Sequence, residues 1–146
     1  RTARFPVPRG LSAVVTIPSY EVKTSEARAI LPGQLSRADH VTGIQRTALL
    51  VAALATGDGE ALRGLFTHGW HETHRAALNP ELATIRAAAE GAGALGTILS
   101  GSGSTILSLV GEKNESAVVA RLRGVSPSSL VKSVCFAADG LQPFAS

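Results

Sequence analysis

Methionine is absent from this chain, and cysteine occurs once, at Cys135. A translated reading frame opens with methionine. An N-terminus at Arg1 is therefore expected to come from processing or excision, with a segment upstream missing. A single cysteine excludes an internal disulfide and points to a reducing compartment such as the cytoplasm. Set in an apolar stretch, Cys135 reads as a small buried hydrophobe rather than a nucleophile. No apolar run approaches the roughly 20 residues of a membrane span, and no signal peptide is visible. Aromatic residues make up only 4% of the chain, and the net charge is a modest +3. The basic residues are scattered, without a Lys/Arg block or an aromatic platform. That argues against nucleic acid and suits a small anionic ligand.

What is present describes one globular domain. The 146 residues are 45% apolar and 17% charged, enough for a single core. Residues 1–10, with Phe5 and Val7 alternating, read as an extended entry or edge strand. Leu11 to Ile17 is a strand rich in β-branched residues. Thr24 offers a cap for a short helix over 25–31, stopped by Pro32-Gly33. Ser36-Arg37-Ala38-Asp39 starts a longer helix in the manner of a capping box. Its apolar positions, Val41, Ile44, Ala48, Val51 and Ala55 with Leu49, Leu50 and Leu54, lie nearly all round it. That predicts a central, buried helix ending at Gly57-Asp58-Gly59. Gly43 within it suggests the close approach of another backbone.

A second helical stretch is expected from Glu60 to Leu78, broken near Gly69. Asn79-Pro80 then opens a third helix with an Asn cap and Pro at its first position. Leu82, Ile85, Ala88 and Ala89 form its buried stripe. Asn114 to Arg123 reads as another amphipathic helix, through Val118, Val119 and Leu122, closed by Gly124. Residues 129–137 read as the last strand. The pattern is α+β: a four-stranded, mainly antiparallel sheet with helices packed on one face.

Between two apolar, β-branched segments, Gly96 to Leu99 and Thr105 to Val110, lies Ser100-Gly101-Ser102-Gly103-Ser104. The flanks predict a strand pair. The glycines allow a sharp turn, and small hydroxyls leave room for a ligand. Such a loop can aim successive backbone N–H groups at an anion; it can equally be a plain hairpin turn. Arg28, Arg46 and Arg75 are the arginines to weigh as carboxylate or phosphate grips. His68, His71 and His74 recur every third residue. That spacing drifts about 60° per step around a helix, so the three do not converge on a metal. No catalytic triad is readable, and Gly101-Ser102-Gly103 lacks the strand-to-helix setting of a nucleophile elbow.

Several separate stretches carry a resemblance. Thr24-Ser25-Glu26-Ala27-Arg28-Ala29-Ile30-Leu31-Pro32, Arg37-Ala38-Asp39, Arg46-Thr47-Ala48-Leu49-Leu50, and His71 with Arg75, Leu78 and Pro80 occur in that order. Gly93-Ala94-Leu95-Gly96 leading into Leu99-Ser100-Gly101-Ser102-Gly103 follows them. Over about residues 5–140 the chain resembles the C-terminal half of the homoserine kinases, in the GHMP small-molecule kinase superfamily.

The resemblance implies a ferredoxin-like C-terminal domain occupying all of 1–146. It implies transfer of the γ-phosphoryl of ATP to the homoserine hydroxyl, in threonine biosynthesis. It implies that Arg28 and Arg75 hold the homoserine carboxylate and that Gly101 lines the substrate near the phosphate. Ser100, Ser102 and Gly103 complete the loop around that position. Neither a catalytic residue nor a metal ligand is expected in this half. ATP and Mg are expected to be bound mainly by an N-terminal half absent from this chain, whose phosphate loop does not occur here. That half is the expected partner, and a homodimer stays open. Ser104, Thr73-His74 and Gly43 depart from the usual family residues. They keep open another small alcohol as substrate, or a non-catalytic anion-binding domain of the same fold.

Overall fold

The computed structural model describes residue 6, residues 8–66 and residues 69–137. Phe5, Val7 and His68 lie outside the described residues. Four strands form one antiparallel sheet: β1 (Leu11–Ile17), β2 (Gly96–Leu99), β3 (Ile106–Gly111) and β4 (Leu130–Val134), in the order β2-β3-β1-β4. Five helices accompany them: α1 (Thr24–Ala29), α2 (Arg37–Thr56), α3 (Trp70–Arg75), α4 (Leu82–Gly91) and α5 (Glu112–Val125). Leaving α1 to α3 aside, the order is β-α-β-β-α-β, the split βαβ arrangement of ferredoxin-like domains. This is the expected α+β sheet.

Register explains the two cores. Val14 of β1 lies opposite Ser108, and Ala13 lies opposite Leu109. Alternation sends Val14, Ile106 and Val110 to one face, against Leu82, Ile85, Ala88 and Ala89 of α4 and Val118 and Leu122 of α5. Ala13 and Leu109 turn to the other face, where they meet Ala53 near the end of α2, Leu62 and Leu95. The stripe read from α4 is buried; of the α5 stripe, Val118 and Leu122 are buried and Val119 partly so. Each large apolar side chain fully buried here contributes about 1.5–3 kcal/mol. A Cβ at Gly96 would overlap the Phe66 side chain, so this glycine makes room for Phe66 against β2.

Several local expectations are corrected. Helix α2 starts as predicted: the Asp39 N–H donates to Ser36 Oγ at 3.0 Å. It ends at Gly57 in a left-handed conformation. It is not central, however. Only Ala53 is buried, while Ile44 and Leu49 are 59% and 56% exposed. An apolar pattern records that a face is to be covered, not by what. No backbone approaches Gly43 among the described residues.

The 60–78 stretch is not one helix. It is a 3-10 turn at Glu60–Leu62, then α3, then a 3-10 turn at Ala76–Leu78. Thr24 does not cap α1, because its hydroxyl lies 3.3 Å from Ser102 Oγ instead. Asn79 does not cap α4: its Nδ2 donates to the Arg75 carbonyl (2.9 Å), and its Oδ1 accepts from no described group. Helix α5 runs through Gly124 to Val125, and β4 stops at Val134. Cys135 follows that strand and is exposed rather than buried.

Candidate functional site

The loop joining β2 to β3 is closed by two backbone bonds. The Ser100 N–H donates to Thr105 O at 2.8 Å, and the Gly103 N–H donates to Ser100 O at 3.2 Å. Gly101 and Gly103 both have positive φ, +64° and +92°, which side-chain-bearing residues rarely adopt. In front of Gly101 there is open space. Gly103 is different: a Cβ there would overlap Oδ1 of Asn79, a residue 1% exposed. One glycine thus faces outward, and the other seats the loop on a buried carboxamide. The backbone N–H groups of Gly101, Ser102 and Ser104 donate to no described residue. They are open to solvent or to an anionic ligand.

Arg75 is built into the loop's flank. Helix α3 places His71 and Arg75 four residues apart on one face. Arg75 Nε donates to Ala27 O (3.1 Å), and Nη1 donates to Gly101 O (3.1 Å). The guanidinium therefore joins α1 to the glycine loop. Its Nη2 makes no hydrogen bond with any described residue, so two N–H donors stay available. Arg28 follows Ala27 in α1; its side chain is exposed and makes no ion pair among the described residues. So the structure brings Arg75, Gly101 and the helix of Arg28 together. Arg46, half-buried in α2, lines a 210 Å³ cavity together with His71, Glu72 and Leu99, next to this group.

His71 Nδ1 lies 3.4 Å from Arg75 Nη1. Burial pushes the imidazole below its ordinary pKa; the Glu72 charge opposes this, and Arg75 adds to it. The neutral ring can accept a hydrogen bond from Arg75 Nη1 at Nδ1. Among the described residues no three His, Cys, Asp or Glu side chains gather at a metal-binding spacing. No described helix is long and apolar enough to cross a membrane.

Sequence reasoning missed Glu72 and Arg86. Glu72 is 4% exposed. It accepts the Leu99 N–H through Oε1 at 2.7 Å and pairs with Arg86 Nη2 through Oε2. An arginine beside the alanine-rich buried stripe of α4 was the one available signal.

Comparisons with known proteins agree with this fold. The chain is 41% identical to the homoserine kinase of Microchaete diplosiphon over 110 residues, 75% of this chain and 36% of that protein. It is 40% identical to the homoserine kinase of Deinococcus radiodurans over 116 residues, 80% of this chain and 38% of that protein. A crystal structure of homoserine kinase from Cytophaga hutchinsonii superposes with a TM-score of 0.82 and 31% identity. That match covers 90% of this chain and 43% of that one. The chain thus spans less than half the length of these relatives. Residues 50–126, more than half of the chain, match the family described as GHMP kinases C terminal. With its split βαβ sheet and glycine loop, the chain belongs to the GHMP kinase C-terminal family.

Proposed function

We propose that this chain is the C-terminal half of a homoserine kinase and supplies the acceptor side of the active site. The observation that carries the reading is Arg75, fixed between Ala27 O and Gly101 O with Nη2 left over. It does so in a chain about 40% identical to homoserine kinases over three quarters of its length. The homoserine carboxylate binds Arg75 Nη2 and the Arg28 guanidinium through charge-assisted hydrogen bonds. The free N–H groups of Gly101, Ser102 and Ser104 then face the phosphoryl group being transferred. In the transfer, the homoserine hydroxyl oxygen bonds to the γ-phosphorus of ATP, the bond to the ADP oxygen breaks, and the hydroxyl proton is lost. Such transfer depends on positioning and on spreading charge. This chain contributes positioning.

ATP and Mg are substrate components assigned mainly to an N-terminal half, the proposed partner. The exposed apolar residues of α2, Ile44 and Leu49 among them, are the surface that half would cover. The proposed location is the cytoplasm, in keeping with a single cysteine. A coupled ADP-release assay tests the function. The full-length kinase carrying this domain is expected to turn over with homoserine in preference to other small alcohols, and this chain alone is expected to be inactive. Preference for a different alcohol in the full-length enzyme would overturn the substrate assignment.

A further inference from the structure

Strand β2 lies at the edge of the sheet. Thr97 and Leu99 turn their backbone groups away from β3, where an edge strand ordinarily meets water or another chain. Here two side chains take those groups. Arg86 Nε donates to Thr97 O (3.0 Å), and the Leu99 N–H donates to Glu72 Oε1 (2.7 Å). Arg86 Nη2 and Glu72 Oε2 close the arrangement as an ion pair, with the two side chains 21% and 5% exposed. One buried pair thus grips α3, α4 and β2 at once.

Its place matters more than its stability. Leu99 is the last residue of β2, two before Gly101. Glu72 lies in α3, three before Arg75. The Leu99–Glu72 bond and the Arg75–Gly101 bond are therefore the two rungs of a short ladder. Its rails are residues 72–75 and 99–101. If the first rung loosens, the second loses its reference point.

We propose that Glu72 and Arg86 are positioning residues for the acceptor site. They lock α3 against the root of the glycine loop, and so set where Arg75 Nη2 stands relative to Gly101. This inference rests on the reading of Arg75 and the loop as that site. A carboxylate is required because one group must accept from both a backbone N–H and a guanidinium. A neutral glutamine turns an amide N–H₂ toward Arg86 and breaks one contact or the other.

The test uses Glu72→Gln, Arg86→Lys and Arg75→Ala in the full-length kinase, with homoserine and ATP titrated separately and folded content measured on each preparation. Glu72→Gln is expected to raise KM for homoserine tenfold or more, with KM for ATP changed less than twofold. Arg86→Lys keeps a charge at the carboxylate but cannot also reach Thr97 O, so it is expected to fall between Glu72→Gln and the wild type. In this chain alone, Arg86→Lys is expected to speed hydrogen exchange at the Leu99 and Gly103 amides about tenfold, leaving Val14 unchanged. That exchange readout and Arg86→Lys carry the test if Glu72→Gln does not fold. If both variants lower stability yet leave homoserine KM at the wild-type value, while Arg75→Ala raises it, the pair is structural only and the proposal is overturned. If Arg75→Ala also leaves homoserine KM unchanged, the acceptor-site reading itself fails, and this proposal with it.

Discussion

Arg75 donates through Nη1 to the carbonyl oxygen of Gly101 at 3.1 Å, tying the last turn of a short helix to the tip of the glycine loop. The same guanidinium holds α1 through Ala27 O. A group that binds ligand through one edge and its own scaffold through the others is held in place before the ligand arrives, which lowers the cost of binding.

The two glycines of the loop are expected to respond differently to alanine. Gly101→Ala meets no neighbour and bears only the strain of its positive φ, about 1 kcal/mol. Gly103→Ala bears the same strain and also drives a methyl into Asn79, which is buried and bonded to Arg75 O. Urea denaturation of both variants of this chain is expected to show the larger loss at Gly103. Equal losses would contradict the seating of the loop on Asn79.

Core and apparent core are separable in the same way. Ile85→Ala, in the cluster under the sheet, is expected to cost about 2–5 kcal/mol. Leu49→Ser, on the exposed side of α2, is expected to be nearly neutral in this chain. In the full-length kinase the same Leu49→Ser change is expected to destabilise. Thermal unfolding of both forms reads the difference.

Much of this was legible beforehand, for identifiable reasons. The β2–β3 hairpin follows from β-branched runs around glycine. The α4 stripe of Leu82, Ile85, Ala88 and Ala89 follows from helical spacing, and the start of α2 follows from Ser36 and Asp39. Other features depend on contacts between distant segments. Glu72 and Arg86 lie on different helices, so no periodicity joins them. Asn79 precedes a proline and resembles a cap, yet its Nδ2 donates to Arg75 O and its Oδ1 packs against Gly103. Arg75 stood out as one of three arginines able to grip a carboxylate or phosphate. That its Nε and Nη1 would bind main-chain carbonyls needed the positions of α1 and the loop.

His71 predicts a pH dependence. Its folded-state pKa is depressed, chiefly by burial, so the unfolded chain binds the extra proton more readily. Stability is fully present above the ordinary imidazole value, about 6.5. It declines as pH falls below that value toward the folded pKa. Denaturation of this chain at a series of pH values between about 7 and 5 is expected to show this decline. In His71→Gln the decline over that range is expected to be shallower. Identical slopes would show that His71 does not carry the effect.

The most direct test of the acceptor-site account is a pair of titrations on Arg75→Ala in the full-length kinase. Loss of a charge-assisted grip on the homoserine carboxylate, worth about 1.5–3 kcal/mol, predicts homoserine binding roughly ten- to a hundred-fold weaker. The Kd for ATP is predicted to stay within about twofold. Weakened ATP binding with homoserine binding unchanged would contradict the account.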